Sequence, residues 1–280
     1  MHEKRSSGAR LAMVAALAGV AASAIVACST AAEPASVEPA SADTGLPGGT
    51  CDNGLDMLFC EDFESVPLGE ARSSAWATDI LDGSLTVTPG GAGGNVDGQF
   101  LRVHTEGNGK AFIRVTDFAP PENSFFGRVR MRVDTFPTAP DFAHWIMVEA
   151  QGEGDGLIRP LGGQFFGEEN ANFYGVGSDL GPTGDWTEFK ESAPATDGAW
   201  QCLEWQMDAT DNRITVWIDG ESKPDLTVDT RNHGGADVDF VFPDFDTVSF
   251  GWQLFQDDPT PAAFDADMDD LALSTTRVGC

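Results

Sequence analysis

The sequence predicts an all-β protein, an antiparallel β-sandwich of the jelly-roll type. Short runs alternate apolar and polar residues, as the two faces of a strand require, and clusters of Gly, Pro, Asn and Asp separate these runs. Helical periodicity is hardly visible. Many short strands with such breakers between them are typical of sandwiches and jelly rolls.

The strand pattern continues from one end of the domain to the other. In chain order, the predicted strands include residues 58–64, 99–105, 111–118, 127–133, 142–150, 200–207, 213–218, 247–256 and 269–273. Arg213 begins a strongly alternating run that enters an Asp-Gly turn at Asp219 and Gly220, which is a hairpin signal. The first and last strands both carry carboxylates, so we expect them to lie side by side.

The first 27 residues have the pattern of a secretory signal. Lys4, Arg5 and Arg10 precede an apolar run over residues 11–27 that contains no charge, and no stop-transfer pattern follows. The run ends in Ile, Val and Ala directly before Cys28, a string that resembles the lipobox of bacterial lipoproteins. We therefore expect cleavage before Cys28 and acylation of its new N-terminus.

An ordinary signal peptide with an incidental cysteine is the alternative interpretation. If Cys28 is acylated, its chains hold the protein on a membrane, since each buried methylene contributes about 0.8 kcal/mol. Ser29 follows the cysteine where Asp often directs retention at the inner membrane, so the outer membrane or cell surface is favoured. Residues 28–50 are small and polar and predict a disordered tether. Residues 51–280 predict one domain, which we expect to be a monomer.

The charge of the chain excludes one class of partner. Without residues 1–27 the chain carries 13 basic and 44 acidic residues, a net charge of −31. Nucleic acid is therefore not expected as a partner, because its binding depends on neutralising phosphates. An anionic ligand would need a local basic patch.

Four cysteines besides Cys28 predict two disulfides. Cys51, Cys60, Cys202 and Cys280 form an even set in an exported chain, and none of them lies in a C-x-x-C pair that would favour zinc. Three pairings are open. The short spacing of the first two cysteines favours one local bridge, which leaves the last two for the other.

A calcium site is predicted between the first and last strands. Glu64 is on one strand and Asp269 and Asp270 are on the other, with Asp62 as a further candidate ligand. Asp265 opens a run that imitates the start of an EF-hand loop, but the pattern fails at the positions that require Gly and Glu. An acidic turn without metal is the alternative.

Arginines alternate along one predicted strand. Arg128, Arg130 and Arg132 fall on one face of it, and Arg102 and Arg114 could extend the stripe to neighbouring strands. Such a stripe, with Arg130 at its centre, suits a polyanionic sugar. The alternative is a solvated face whose arginines pair with local carboxylates.

Several segments resemble one fold family. They are residues 59–64, 200–207, 216–220, 250–253 and 269–280. Together they look like the concanavalin A-like lectin and glucanase jelly roll, and within it like the core domain of the fungal cellulose-induced protein one and its bacterial relatives. The resemblance implies a carbohydrate ligand and a bound calcium. It also implies kinship with polysaccharide lyases that act on glucuronan and alginate.

Glycoside hydrolysis is disfavoured by the sequence. Hydrolases of this superfamily carry three acidic residues on one strand, and two of these flank the scissile bond. No such string is present. Glu149 and Glu153 bracket Gln151, but Glu153 falls in a Gly-rich stretch that predicts a loop.

A polysaccharide lyase needs a group that neutralises the uronate carboxylate, a base and an acid. His144, Arg159, Gln164 and Tyr174 lie within one stretch of the chain, and Tyr174 is its only tyrosine. We expect His144 and Tyr174 to be the proton-transfer pair, with Arg159 or Arg130 and Gln164 on the carboxylate. The alternatives are core positions for His144 and Tyr174, and loop or surface positions for Arg159 and Gln164.

Aromatic and amide side chains near the end of the domain suit sugar contact. Trp252 and Gln256 have this character, as do Trp145 and Gln253, although most tryptophans in a sandwich belong to its core. The sequence thus predicts a surface lipoprotein whose jelly roll handles an extracellular polysaccharide, with lyase activity by β-elimination as one reading. The alternatives are a polysaccharide-binding module without catalysis and a structural envelope lipoprotein.

Overall fold

The structure is a computed structural model that describes residues 51, 56–90, 98–152, 156–179, 183–184 and 186–280. Its strands are β1 (Met57–Glu61), β2 (Gly69–Glu70), β3 (Ala77–Pro89), β4 (Gln99–Val115), β5 (Phe125–Val133), β6 (His144–Gly152), β7 (Leu157–Phe166), β8 (Ala171–Asp179), β9 (Trp186–Pro194), β10 (Gln201–Asp208), β11 (Arg213–Ile218), β12 (Glu221–Ser222), β13 (Phe245–Leu254) and β14 (Ala263–Ser274). The signal peptide, Cys28 and the tether lie outside the described residues.

The strands form two layers joined at β3 and β4. Sheet A has the order β12-β11-β10-β5-β14 and continues to the first half of β4, and sheet B runs from the second half of β4 through β13-β6-β7-β8 to β9. The strand β3 pairs along both halves of β4, and β1 pairs with β14. Every one of these pairs is antiparallel, so the predicted antiparallel β-sandwich jelly roll is confirmed.

Glycines allow β3 and β4 to pass from one sheet to the other. Gly107 has φ +57°, and a Cβ on Gly109 would lie 2.5 Å from the carbonyl oxygen of Asp82. The register of β3 shifts between Leu81 and Gly83, which marks a bulge opposite these glycines. Because a bulge bends a strand and glycine permits the close backbone approach, one hairpin can serve both layers.

The core lies between the two sheets and is rich in aromatic rings. Trp145 of β6 and Trp252 of β13 stack with ring centroids 5.6 Å apart. Trp205 of sheet A reaches across to Phe250 of sheet B, with centroids 6.0 Å apart. Burial of these large rings supplies much of the apolar area that stabilises the sandwich.

The first and last strands pair as expected, but the first one is shorter than predicted. Phe59 lies opposite Leu273 and Glu61 opposite Leu271. The strand β1 ends at Glu61, whose carboxylate accepts hydrogen bonds from the backbone N–H of Phe63 at 3.0 Å and from the indole of Trp76 at 2.9 Å. These side-chain bonds replace the ladder and start a turn, so Glu64 follows the strand and is not part of it.

The two predicted disulfides are confirmed, with the favoured pairing. Cys51 is bonded to Cys60 and Cys202 to Cys280, with Cα–Cα distances of 5.5 and 5.9 Å. The second bridge fixes the end of the chain to β10. No helix of the described residues has the length and apolar character needed to cross a membrane.

Candidate functional site

The predicted arginine stripe and the predicted His144 site lie on two different outer faces, one on each sheet. The outer face of sheet A carries Arg102, the arginines of β5 and Asp267 of β14. The arginines alternate with valines and a methionine that belong to the core, so the predicted stripe does lie on one face. The stripe therefore belongs to the sheet that does not contain His144.

Charges on the outer face of sheet A bind one another. Asp267 lies opposite Arg102 of β4 and Arg132 of β5, and its carboxylate is almost completely buried. Arg102 donates two hydrogen bonds to Asp267, at 2.8 and 3.0 Å, and Arg132 donates a third. The guanidinium of Arg132 also lies 5.5 Å from the ring centroid of Trp200.

The other two arginines of the stripe are less available than the sequence suggests. Arg128 is buried and donates to the backbone carbonyls of Asp270 and Gly279, at distances between 3.2 and 3.3 Å, and its burial lowers the pKa of its guanidinium. Arg130 keeps 40% of its side chain exposed, 3.8 Å from a carboxylate oxygen of Asp270. Only part of the predicted stripe therefore faces solvent.

A bulge in β6 shapes the outer face of sheet B. Met147 and Val148 both belong to the core, and the register between β6 and β7 shifts between Ile146 and Val148. Five positions separate His144 from Glu149, an odd spacing that would place them on opposite faces of a regular strand. The extra inward residue cancels this effect, so both lie on the outer face.

Gln256 holds the imidazole of His144 in one tautomer. The backbone N–H of His144 donates to the amide oxygen of Gln256, and the amide nitrogen of Gln256 lies 3.1 Å from Nδ1 of His144. An amide nitrogen only donates, so Nδ1 must accept and the neutral ring carries its proton on Nε2. A ring in this state is a hydrogen-bond donor at Nε2 and not a base there.

Gln164 and Arg159 lie on the neighbouring strand β7. Gln164 is directly opposite His144 in the ladder, and its side chain is buried. Arg159 is also buried; its guanidinium donates to the carbonyl of Ser178 and lies 5.9 Å from the ring centroid of Phe255. The structure thus brings together His144, Gln164 and Gln256, which we call the amide cluster, and places Arg159 on the same sheet.

Glycines line the outer face of sheet B beside these polar groups. Gly162 lies opposite Ile146 on one side and Gly175 on the other. A Cβ on Gly251 of β13 would meet the carbonyl oxygen of Ala111 at 2.0 Å. Gly162, Gly175 and Gly251 are buried, so neighbouring groups of the fold, and not open space, lie where side chains at these positions would be.

Glu149 is a titratable group that the sequence analysis considered only as half of a failed hydrolase pair. Burial raises its pKa to about 7. Lys110, Arg114 and Arg159 are close enough to oppose this rise, and Asp79 adds to it. A carboxyl group poised near neutral pH can accept or donate a proton. In the sequence, Glu149 lies on the same predicted strand as His144. The bulge decides on which face of the sheet its side chain lies.

Tyr174 does not join His144. Its ring is buried in the core, with centroid distances of 5.5 Å to Trp145 and 6.4 Å to Phe136. Its hydroxyl donates to Gln201 at 2.7 Å, and burial raises its pKa well above the usual range. The ring lies on the inner side of sheet B and His144 on the outer side, so the two residues do not form a proton-transfer pair.

Trp252 also lies inside the sandwich. Besides stacking on Trp145 it lies 5.7 Å from Phe264 of sheet A, ring centre to ring centre, and 1% of its surface is exposed. It packs the layers together and is not open to a sugar. In contrast, Gln256, the other residue predicted from this segment, lies beside His144.

The acidic residues predicted to hold calcium lie at the middle of β14 and just after β1. Asp269 is mostly buried, and its burial together with the charges of Asp270 and Glu64 raises its pKa to about 8. Asp269 accepts a hydrogen bond from the backbone N–H of Asp270 at 2.7 Å, and Glu64 accepts one from Gln99 at 2.7 Å. Among the described residues, no three His, Cys, Asp or Glu side chains form a group that could hold a metal.

Comparison with solved structures supports the jelly-roll fold. The structure described as cellulose induced protein, Cip1, matches with a TM-score of 0.56 and 21% sequence identity, over 79% of this chain and 99% of that chain. The fold is therefore a concanavalin A-like jelly roll. No family model matches the chain, and neither does any curated protein sequence.

Two further structures resemble this concanavalin A-like jelly roll less closely. A glycosyl hydrolase family 16 protein from Mycobacterium smegmatis has a TM-score of 0.48 and 13% identity, over 78% of this chain and 99% of that one. An endo-1,3-beta-glucanase from Streptomyces sioyaensis has a TM-score of 0.49 and 14% identity, over 82% and 98%. At these levels of identity, function must be argued from the site itself.

Proposed function

We propose that the protein is an exported lipoprotein whose jelly roll holds a polysaccharide chain along the outer face of sheet B. One observation carries this proposal: His144, Gln164 and Gln256 lie together on that face, beside a strip formed by Gly162 and Gly175. Amide groups suit sugar hydroxyls, because each amide can both donate and accept a hydrogen bond.

The polar groups along β6 suit a glycan that carries uronate groups. Arg114 donates to Gln151 at 3.3 Å, and Lys110 pairs with Asp79 at 2.7 Å, so cations stand near the Glu149 end of the strip. These cations would attract the carboxylate of a uronate, which the net negative charge of the protein otherwise repels. The likeness to Cip1 supports carbohydrate as the ligand class by fold alone.

Cleavage of uronate linkages by β-elimination is the second candidate function, favoured by Glu149. Its carboxylate would take the proton from C5 of the uronate, and the electron pair of that C–H bond would form the C4–C5 double bond. The C4–O bond then breaks, and water protonates the departing oxygen. Lys110, Arg114 and Arg159 would stabilise the charge that develops on the carboxylate. Glu149 here replaces the pair formed by His144 and Tyr174.

We also propose that a calcium ion joins the first and last strands. Asp269, Asp270 and Glu64 would have to draw together to hold it, since in the structure they do not form a metal-binding group, and their hard oxygens are the donors that calcium prefers. The raised pKa of Asp269 supports the fit, because it shows a carboxyl group whose ionised form lacks enough neighbouring positive charge. A bound cation would stabilise that ionised form and the pairing of β1 with β14.

Membrane attachment through Cys28 completes the proposal. Cys28→Ser should prevent acylation and release the protein from the membrane fraction of the native host, whereas Cys51→Ser, which removes a disulfide cysteine, should leave attachment unchanged. Fractionation followed by lipid labelling measures both. Retention of the Cys28 variant with full lipid labelling would contradict the anchor.

A panel of polysaccharides tests the ligand class. The purified domain is incubated with glucuronan, alginate, xylan and cellulose, while binding is followed by affinity electrophoresis or sedimentation and cleavage by the absorbance of unsaturated uronates. Binding without new absorbance supports the binding module, and new absorbance that Glu149→Gln abolishes supports the lyase. Failure to bind any of the four would favour a structural envelope lipoprotein.

A further inference from the structure

Four phenylalanine rings form a ledge at the end of the outer face of sheet B. We call Phe142, Phe166, Phe173 and Phe189 the aromatic ledge. Phe166 is central to it, with ring centroids 5.2 Å from Phe142, 4.0 Å from Phe189 and 6.3 Å from Phe173. None of these residues belongs to the main hydrophobic core. The ledge is thus a separate cluster on the outside of the sandwich.

Phe142 is the exposed ring of the ledge and has an unusual backbone. Its surface is 51% exposed, and its φ is +62°. A positive φ is rare for a bulky side chain and costs backbone energy. The sequence analysis placed Phe142 at the start of a strand, but β6 begins only at His144. A large apolar side chain is therefore held toward solvent in a strained conformation.

The loop around Phe142 is built to keep that position. One carboxylate oxygen of Asp141 accepts from the backbone N–H of Phe142 at 3.0 Å and from that of Gly167 at 2.6 Å. A Cβ on Gly167 would lie 2.8 Å from the carboxylate of Asp141, so a larger residue there would displace that carboxylate. These bonds join the loop before β6 to the turn after β7 and fix the ring beside Phe166.

The ledge continues the amide cluster along the same face. Phe166 follows Gln164 by two residues on β7, so both side chains lie on the outer face, about 7 Å apart along the strand. Phe142 lies before β6, and its contact with Phe166 places its ring at the same face. A chain bound at the amide cluster would place its next sugar unit over the exposed ring.

We propose that the aromatic ledge is a subsite on which a pyranose ring of the polysaccharide stacks against Phe142. The proposal rests on the proposed function and adds the place and the type of contact. The apolar face of a pyranose is recognised by a flat aromatic ring, while amides beside that ring bind its hydroxyls. Phe142 supplies the ring, and the side chains of Gln164 and Gln256 lie on the adjoining stretch of the face.

The small size of the aromatic ledge and its polar neighbours indicate what kind of ligand binds there. One half-exposed ring beside histidine and glutamine offers far less area than a stable protein interface needs. Fixing that ring in advance lowers the ordering cost of binding a small flat group. Because the ledge is continuous with the amide cluster, we expect the polysaccharide chain that lies along the strip to occupy the ledge as well.

The test compares four variants of the ring with a control on the surface of sheet A. Phe142→Ala and Phe142→Leu remove the flat face, Phe142→Tyr keeps it, and Phe142→Gly also relieves the positive φ. Leu68→Ala truncates a side chain that is 58% exposed and directly precedes β2, which pairs with the part of β3 that lies beside sheet A. Affinity for whichever panel polysaccharide the wild type binds is measured, with thermal melting for each variant.

We expect the Ala, Leu and Gly variants to bind about tenfold more weakly, the loss of a stacking contact, while the Tyr variant and Leu68→Ala bind like the wild type. Phe142→Gly should melt no lower than the wild type. A wild type that binds while Phe142→Ala keeps full affinity would overturn the ledge and leave the proposed function standing. If the wild type binds nothing, both fall. A wild-type dimer that Phe142→Ala dissociates would also overturn it.

Discussion

The outer faces of the two sheets differ in the residues they carry and in how those residues are paired. On sheet A, Asp267 is buried between Arg102 and Arg132, and Arg128 is buried among backbone carbonyls. On sheet B, the His144 ring, two glutamine amides and the glycines of β7 and β8 lie together. The first face pairs opposite charges with each other, and the second pairs a neutral amide with an imidazole ring.

This difference shows why charge along a strand is a poor guide to binding. An arginine contributes to recognition only if its donors are not already directed at neighbours within the fold. Strand alternation placed the arginines of β5 on one face, but their partners come from β4, β14 and the C-terminal segment. Within the stripe, Arg128 and Arg132 are therefore held by other groups of the fold, and Arg130 has the most exposed side chain of the three.

The largest expected effect is on stability and tests the structural role of the sheet A face. Asp267→Asn should lower the free energy of unfolding by about 4 kcal/mol, because it leaves two guanidiniums beside a neutral buried amide. Chemical denaturation measures this. The control, Arg130→Gln, removes a partly exposed charge and should cost no more than about 0.5 kcal/mol. Unchanged stability of the Asn variant would mean that the pairing of Asp267 with Arg102 and Arg132 does not stabilise this face.

The second prediction concerns the pH dependence of the sheet B face. The folded pKa of Glu149 is about 7, above its ordinary value of 4.5. The unfolded chain therefore ionises first, and stability falls as pH rises from about 4.5 to about 7 and stays reduced above that. Glu149→Gln should remove this loss and stabilise the protein at pH 8 by up to about 3 kcal/mol.

At pH 4 the same variant should be neutral, because the carboxyl group is protonated in both states. Denaturation at the two pH values measures the difference, with the exposed Glu70→Gln as the matched control. Equal gains for the two variants at pH 8 would show that Glu149 is as well solvated as a surface residue.

The third prediction examines the junction between the faces, at the middle of β14. Calcium at a hundred times its dissociation constant should stabilise the domain by about 2.7 kcal/mol relative to chelator. The effect should be smaller at pH 5 than at pH 8, because calcium must displace the proton of Asp269, whose pKa is about 8 without metal. Asp269→Asn should abolish it, and Asp237→Asn should not. Coincident melting curves would argue against a metal.

The smallest expected effect is on polysaccharide binding, and it compares one glutamine on each face. Gln256→Leu removes both hydrogen bonds to His144 and should weaken polysaccharide binding about fivefold, the result of losing about 1 kcal/mol. Gln206→Leu alters the same residue type on β10 of sheet A and should have no effect on binding. Equal losses in the two variants would mean that the ligand does not distinguish the faces.

Part of the site could be predicted from the sequence because it depends on local pattern. His144 was correctly placed on a strand of the domain and Gln256 near the end of another, whereas Gln164 lies on β7, where no strand was predicted. Tyr174 and Trp252 were misassigned because alternation defines two faces without saying which one points into the core. For Glu149 the difficulty was the bulge at Met147 and Val148, which no feature of the local sequence announces.

The sequence by itself determined the all-β class, the antiparallel sandwich, the two disulfides and the adjacency of the first and last strands. These follow from residue periodicity, from turn residues and from the number and spacing of cysteines, all of which are local properties. Only the tertiary structure decided which polar groups neutralise one another. That choice depends on strands distant in sequence, such as β4, β5 and β14 around Asp267, whose register is set by the packing of the whole sandwich.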